Sequence, residues 1–288
     1  MALRSNPTFR QLRLGAELRR MREQAGLGGS QLARALGINP AHVTQMENGR
    51  TGISVERLRT IAALCMCVNE PLIEALAAII TDREKGGWWE DYRGTLSSDF
   101  LEVAEIEGHA SGLSTYTMAF IPGLLQTSGY TSAVFDRALT PLPRHEVDLR
   151  TTFRVRRREL LLSGATPYSA YIHEAALRMQ FSGPQVQAEQ LCSLIEDSGR
   201  PKVSIRVVMF DVDTLPLNYE NFTYVAGPVQ ELDTVQVDSA VGNVLFDAPA
   251  HIARFRAMLA RLDSAALSED DSREFIRSIK KDMESTHV

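Results

Sequence analysis

Apolar side chains in the first 70 residues recur with the period of a helix, and the pattern is cut at short intervals. Leu14, Leu18, Met21 and Ala25 fall at i, i+4, i+7 and i+11, one stripe of a helix over residues 9–25 that Gly26 ends. The stretch "SQLARALG" predicts a short second helix: Ser30 or Gly29 caps it, Leu32, Ala33 and Leu36 face inward, and Gly37 stops it. Asn39 then caps a third helix. Pro40 suits its first position, where the missing N–H has no partner to lose. Val43 and Met46 form its inward edge, and Gly49 closes it. A fourth helix, capped by Ser54, carries Val55, Leu58, Ala62 and Cys65 on one face. Residues 69–85 predict one more amphipathic helix, before Gly86-Gly87 and the tryptophan pair Trp88-Trp89 break the pattern.

Beyond residue 88 helical and alternating patterns mix. Helices are expected at 96–110, 144–162 and 184–199, and in two segments after 248, the second opening at the capping sequence "SEDD". "STYTMAF", "YSAYI", "VSIRVVMF", "NFTYVAG" and "DTVQVDS" read as strands, and "IPGLLQTSGYTSAVFDRAL" as a turn into a helix. Leu124 and Leu125 of that turn are expected in the core, with a pocket wall as the alternative. The expected architecture is an N-terminal all-α bundle over 1–70, a connecting helix over 71–87, and a larger α+β domain over 88–288. Trp88 and Trp89 are expected to anchor the second domain's core or the junction, with ligand stacking as the alternative.

Length and charge sharpen this picture. The 288 residues exceed one typical domain. No apolar run reaches the roughly 18 residues of a membrane helix, and "MALRSNPTFRQLRLG" has no apolar signal region, so a cytoplasmic protein away from membranes is expected. Cys65, Cys67 and Cys192 are too few and too badly spaced for a disulfide framework or a zinc site. The net charge of −5 divides into +6 over residues 1–60 and −11 over the rest. A basic head on an acidic body suits a polyanion-binding module joined to something else.

The second and third helices are each too short to be stable alone and must dock on their neighbours. Two such helices joined by a Gly-containing turn make a helix-turn-helix. "LRRMREQAGLGGSQLARALGINPAHVTQMENGR" resembles the DNA-binding domain of XRE-type, phage-repressor-like regulators over roughly residues 10–65, through the signature A-x-x-L-G-[IV]-x-x-x-x-V-x-x-x-E-N-G. The resemblance implies double-stranded DNA as partner, with Pro40, Ala41, Thr44 and Gln45 facing it. Gln45 is the long amide able to bond adenine N6 and N7 together, while Ala41 offers only a methyl contact. Asn39, Asn48 and Arg50 would touch phosphates, and Ser30 is placed with the DNA-contacting residues. The resemblance also implies a structural ion pair between Arg22 and Glu47. The chain departs from the family at Gly28-Gly29, where Ser or Thr followed by Gln is usual. Backbone N–H groups alone would meet a phosphate there. A four-helix domain that binds protein rather than DNA is the alternative.

From about residue 88 to 283, "IPGLLQTSGYTSAV", "RVRRRELL", "HEAALRMQFSGPQVQAEQLCSLIE", "VSIRVVMF" and "AALSEDDSREFI" resemble the C-terminal domain of a large regulator group of filamentous actinomycetes. That domain is of unknown function and often described as antitoxin-like. The chain departs at His173-Glu174, Arg158-Glu159 and Gln236-Val237-Asp238, where the family commonly has Asp-Glu, Arg-Gln and Tyr-x-Glu. No nucleophile-elbow, phosphate-loop, dinucleotide or zincin motif is present. Glu105, Glu107, Glu174, Asp211 and Asp213 have no readable catalytic partner, and His173 beside Glu174 would point to the opposite face of a strand. A basic cluster, Arg154 and Arg156–Arg158, reads as a solvated or salt-bridged helix face before a second DNA contact. The expectation is a DNA-binding regulator without catalytic residues, cofactor or metal. One short helix reads few base pairs, so a homodimer on an inverted-repeat operator is expected. The second domain would sense a small partner protein or a small-molecule effector. An antitoxin-like module that mainly binds a small protein is the alternative.

Overall fold

The computed structural model describes residues 6–82, 86–212, 220–239 and 242–286. Arg83–Lys85 of the expected connecting helix, and Asp213, lie outside the described residues. In chain order the helices are α1 (Phe9–Gln24), α2 (Gly29–Leu36), α3 (Pro40–Glu47), α4 (Val55–Leu64), α5 (Glu70–Asp82), α6 (Ser98–Gly108), α7 (Ser128–Asp136), α8 (Arg144–Arg157), α9 (Glu159–Leu162), α10 (Glu174–Arg178), α11 (Pro184–Asp197), α12 (Pro249–Ala265) and α13 (Glu269–Thr286). The strands are β1 (Gly112–Thr117), β2 (Tyr168–His173), β3 (Val203–Val208), β4 (Phe222–Ala226), β5 (Thr234–Ser239) and β6 (Gly242–Phe246). Short 3₁₀ turns occupy Trp88–Tyr92, Gly123–Leu125 and Gln230–Leu232. Among the described residues the chain is therefore helical up to β1, and an α+β domain follows.

Two compact units result: residues up to His109 together with Gly227–Asp233, and Ala110–Ala226 together with the chain from Thr234 onward. The boundary read from the sequence, at 70–88, falls inside the first unit. There α6 lies against both α1 and the Trp88–Tyr92 turn, so the unit runs on to His109, past the break in pattern at Gly86-Gly87. Trp88 and Trp89 accordingly sit in the first unit and not in the core of the sheet.

In the first unit the apolar stripes meet. Leu18, Met21, Leu32, Ala33, Val43, Met46, Leu58, Ile61 and Leu76 form a shared core, joined by Leu232 from the returning segment. Polar groups are buried with them: Arg13 and Glu17, one helical turn apart, are both 4 % exposed and lie 3.3 Å apart, and the Arg13 guanidinium also donates to the Glu231 carbonyl. Asn69 donates to the Glu231 carboxylate at 2.7 Å.

Gly15 is the position where α1 crosses α3. A Cβ there would press into the carbonyl oxygens of Glu47 and Met46, backbone atoms that cannot turn aside. Gly15→Ala is therefore expected to lower stability by about 1–3 kcal/mol, despite the better helix propensity of alanine. Chemical denaturation of the variant checks this; an unchanged or higher midpoint would mean that the two helices do not touch at this point.

In the second unit a six-stranded sheet runs in the order β3-β2-β1-β4-β5-β6. β1, β2 and β3 are parallel, with Thr117 opposite Ile172 and His173 opposite Val208, while β4, β5 and β6 are antiparallel to their neighbours. Alternate residues sort the faces. Tyr116, Tyr171, Phe222, Tyr224, Val235 and Val237 pack with Ile252 and Leu262 of α12, whereas α13 lies along β3 and against α11.

The turn 121–127 is held from three sides. Gln126, 2 % exposed, donates to the Ile121 carbonyl at 2.7 Å and accepts from Thr131 at 3.1 Å and from Arg154 at 3.0 Å. Gln190 bonds the Leu125 carbonyl and the Thr127 N–H, both at 2.8 Å. Leu124 and Leu125 point into the core.

The His173-Glu174 pair differs from its sequence reading. β2 ends at His173, so the pair spans a strand-to-helix junction and the alternation of a strand does not govern it. The His173 ring accepts the Ala175 N–H at 3.1 Å as the cap of α10, and Glu174 binds Arg178 at 2.6 Å and the Phe210 N–H at 3.1 Å.

Candidate nucleic-acid interface

Local chemistry shapes α2 and α3 as separate short rods. Gly37 adopts φ +65°, and the Ile38 N–H reaches back to the Ala33 carbonyl at 2.9 Å while Gly37 N–H bonds Arg34 at 3.2 Å. That pairing ends α2 in the left-handed turn that glycine enters without a Cβ penalty. Gly49, at φ +67°, ends α3 in the same way, with the Arg50 N–H on the Gln45 carbonyl at 2.9 Å. At the other end of α3, the Asn39 side chain accepts the Ala41 N–H at 2.8 Å, and Pro40 follows it. The start of α2 is capped one or two residues earlier than the Gly29 or Ser30 that the sequence suggests. Gly28 is the N-cap, and the Gln31 side chain, at the third helical position, reaches back to accept the Gly28 N–H at 2.6 Å. Ser30 stands exposed in the first turn.

Val43 and Met46 seat α3 in the core, at 1 % and 2 % exposure. The opposite face is presented outward: Asn39, Pro40, Ala41, Thr44, Asn48 and Arg50 are exposed, and Gln45 is half-buried at the edge. The Thr44 hydroxyl turns back toward the Pro40 carbonyl at 3.5 Å. Beside Gln45 lies an open groove of about 580 Å³. Asn39, Ala41, His42 and Gln45 form one wall, and the loop Thr51–Ser54 with Arg57 of α4 forms the other. Ser54 caps α4 by accepting the Arg57 N–H at 3.1 Å, which places that arginine beside α3. His42 and Arg57 were not singled out in the sequence. The signal was present for Arg57, a cation three residues after a cap inside the basic segment.

Arg22 and Glu47 tie α1 to the end of α3. Arg22 Nε and Nη2 meet the two Glu47 carboxylate oxygens at 2.5 and 2.9 Å, and Nη1 donates to the Leu27 carbonyl at 2.9 Å. Hydrogen bonding to Glu47 raises the Arg22 pKa further above its ordinary value.

The arginines of residues 6–60 divide by partner. Arg10, Arg13, Arg19, Arg20, Arg22 and Arg59 each lie within 4.0 Å of a carboxylate. Arg34 of α2, Arg50 and Arg57 have no acidic partner among the described residues. Among the described residues of 6–60, the arginines left without a carboxylate are thus carried on and around the helix pair. In the second unit the basic cluster turns inward instead: Arg154 binds Gln126 and lies 4.6 Å over the Phe135 ring, and Arg158 binds Asp197, Ser193 and the Leu125 carbonyl. Of the carboxylates noted from sequence, Glu107 is buried, Asp211 is exposed, and no histidine or cysteine is hydrogen-bonded to Glu105 or Glu174 among the described residues.

Among the described residues, no helix is long and apolar enough to cross a membrane. Residues 13–76 match the family described as helix-turn-helix domain. Residues 100–278, more than half of the chain, match the family described as Domain of unknown function (DUF5753). No curated protein and no solved structure matches the chain. A helix-turn-helix with its polar face outward, followed by that domain, makes the protein a DNA-binding regulator that belongs to the DUF5753 family.

Proposed function

We propose that α3 enters the major groove and that Gln45 reads a base edge there, with Ala41 and the Thr44 methyl against neighbouring bases. The support is the sidedness of α3: its apolar edge is sealed in the core while its polar edge borders a groove walled by unpaired arginine. Pro40 and Ala41 bring the start of the helix close to the bases. Asn39, Asn48, Arg50 and Arg57, with the Ser30 turn of α2, hold phosphates and set the register. With the Gly28 N–H taken by Gln31, Gly29 offers only a backbone N–H at the start of α2 where the resembling family uses side chains, which lowers the affinity of each head and increases the need for two. The protein acts as a homodimer on an inverted repeat whose half-sites lie roughly 34 Å apart. The second unit senses a small partner protein or a small-molecule effector and is a binding domain without catalysis. The compartment is the cytoplasm.

Binding of fragments from its own upstream DNA tests the reading. Gln45→Ala is expected to weaken specific binding by about 1–3 kcal/mol and to relax preference at one base position. Equal weakening on every sequence would remove Gln45 from base readout. Arg57→Ala is expected to weaken all sequences alike and to lower the slope of log K against log salt by about 1. An unaltered slope would place Arg57 away from the phosphates.

A further inference from the structure

A second cavity lies in the first unit, away from α3. It has a volume of about 590 Å³ and is lined by the start of α1 (Thr8, Arg10, Gln11), the end of α5 (Ile79, Asp82), the Trp88–Tyr92 turn and α6 (Glu105, His109). That size falls within the range of small-molecule sites. Its aromatic wall is rigid: the Trp89 ring is wedged between Gly87 and Gly108, where any Cβ would collide with it, and stands edge-on to His109 at 5.7 Å.

The charges around the cavity are unevenly satisfied. Arg93 is forked onto Glu90 with two bonds of 2.6 Å. Arg10 is engaged by His109 Nε2 at 2.7 Å and lies 4.0 Å from Asp82. Glu105 accepts only the Thr8 hydroxyl, at 3.2 Å, among the described residues. Among the described lining residues, Asp82, Glu90 and Glu105 stand against Arg10 and Arg93, and the open capacity is for donors, at Glu105 above all. Burial pushes the Glu105 carboxyl above its ordinary range more than neighbouring Arg10 lowers it, so its anionic form is incompletely compensated. Burial and then Arg10 hold the His109 ring down at about 4, which keeps it uncharged at neutral pH and no competitor for the carboxylate. An anion would find both guanidiniums of the described lining already engaged.

We infer that this cavity binds a small organic amine, its ammonium group on the carboxylates of Glu105 and Asp82 and its apolar body against Trp89 and Ile79. The site is independent of the groove beside Gln45 and does not rest on the reading of α3. Trp88 and Trp89 are the only tryptophans of the chain, so intrinsic fluorescence reports on this cavity.

The test titrates the full chain with n-hexylamine, and with 1-hexanol and hexanoate as probes of equal length. A saturable fluorescence change is expected with the amine, at a concentration about tenfold or more below that needed for the alcohol, because a charge-assisted bond to the carboxylate adds to apolar burial. Hexanoate is expected to give none. Glu105→Gln keeps the shape and should bring the amine to the level of the alcohol, and Asp82→Asn should weaken it by a smaller factor. Equal responses to amine and alcohol, no saturable response to the amine, or an unaltered response in Glu105→Gln whose thermal transition matches the parent, would each overturn the proposal.

Discussion

Glu47→Ala is expected to lower the stability of the first unit by about 3 kcal/mol. Arg22 and Glu47 are 12 % and 11 % exposed and meet in a two-bond fork. Removing the carboxylate leaves a guanidinium that stays charged at any working pH, held in a site water barely reaches. The residual exposure keeps the effect toward the lower end of what breaking a fully buried pair costs. The Arg22 bond to the Leu27 carbonyl, just beyond α1, and the half-exposed Glu23 carboxylate at 3.8 Å remain, but they leave most of the five donors of the guanidinium unsatisfied. Because both tryptophans lie in this unit, urea unfolding followed by their fluorescence reads it directly. DNA binding should fall as well, since Glu47 is the last residue of α3 and the pair fixes how that helix leaves α1. Glu47→Gln is expected to retain part of the loss, keeping the shape and one acceptor. A midpoint within experimental error of the parent for Glu47→Ala would show that the pair is a surface ornament.

Asp197→Ala is expected to cost about 3–5 kcal/mol in the second unit. Asp197 is 1 % exposed and bonds Arg158 at 2.9 and 2.7 Å and Arg200 at 2.9 Å. Arg158 carries that anchorage to the 121–127 turn through the Leu125 carbonyl at 3.1 Å and to α11 through Ser193 at 3.0 Å. With the carboxylate gone, Arg158 remains at 17 % side-chain exposure with only neutral acceptors among the described residues. The loss should therefore be larger than for an exposed pair such as Arg19–Glu23, which is worth well under about 1 kcal/mol. Proteolytic protection of the second unit is expected to fall while the tryptophan transition of the first stays in place. Unaltered protection, or a matching drop in the tryptophan transition alone, would contradict this account.

The chemistry of short segments is legible in the sequence. Asn39, Pro40, Gly37 and Gly49 act within a few residues of themselves, so the end of α2 and both ends of α3 could be read directly. The apolar edge formed by Val43 and Met46 was legible for the same reason, and with it the polar side that Thr44 and Gln45 share. The strands of the second unit showed wherever alternation was strong. β6 did not show: "GNVLF" is short, opens on glycine and places no clean apolar face against the core, its residues being half-buried or exposed. The cap of α2 was misplaced by one or two residues because the Gln31 side chain does the work, and a cap that reaches back from the third position leaves little trace at the capping residue itself.

The sequence by itself determined which segments coil, where they stop, and which edge of α3 stays polar, because caps, glycines and the 3.6-residue period act between near neighbours. The tertiary structure alone decided that Gly15 must be glycine, that Arg13 and Glu17 are buried, that Gly227–Asp233 returns to complete the first unit, and that Gln126, Gln190 and Arg158 hold one turn in common. Each of these depends on atoms brought together from positions far apart in the chain, and a pattern of near neighbours carries no record of them.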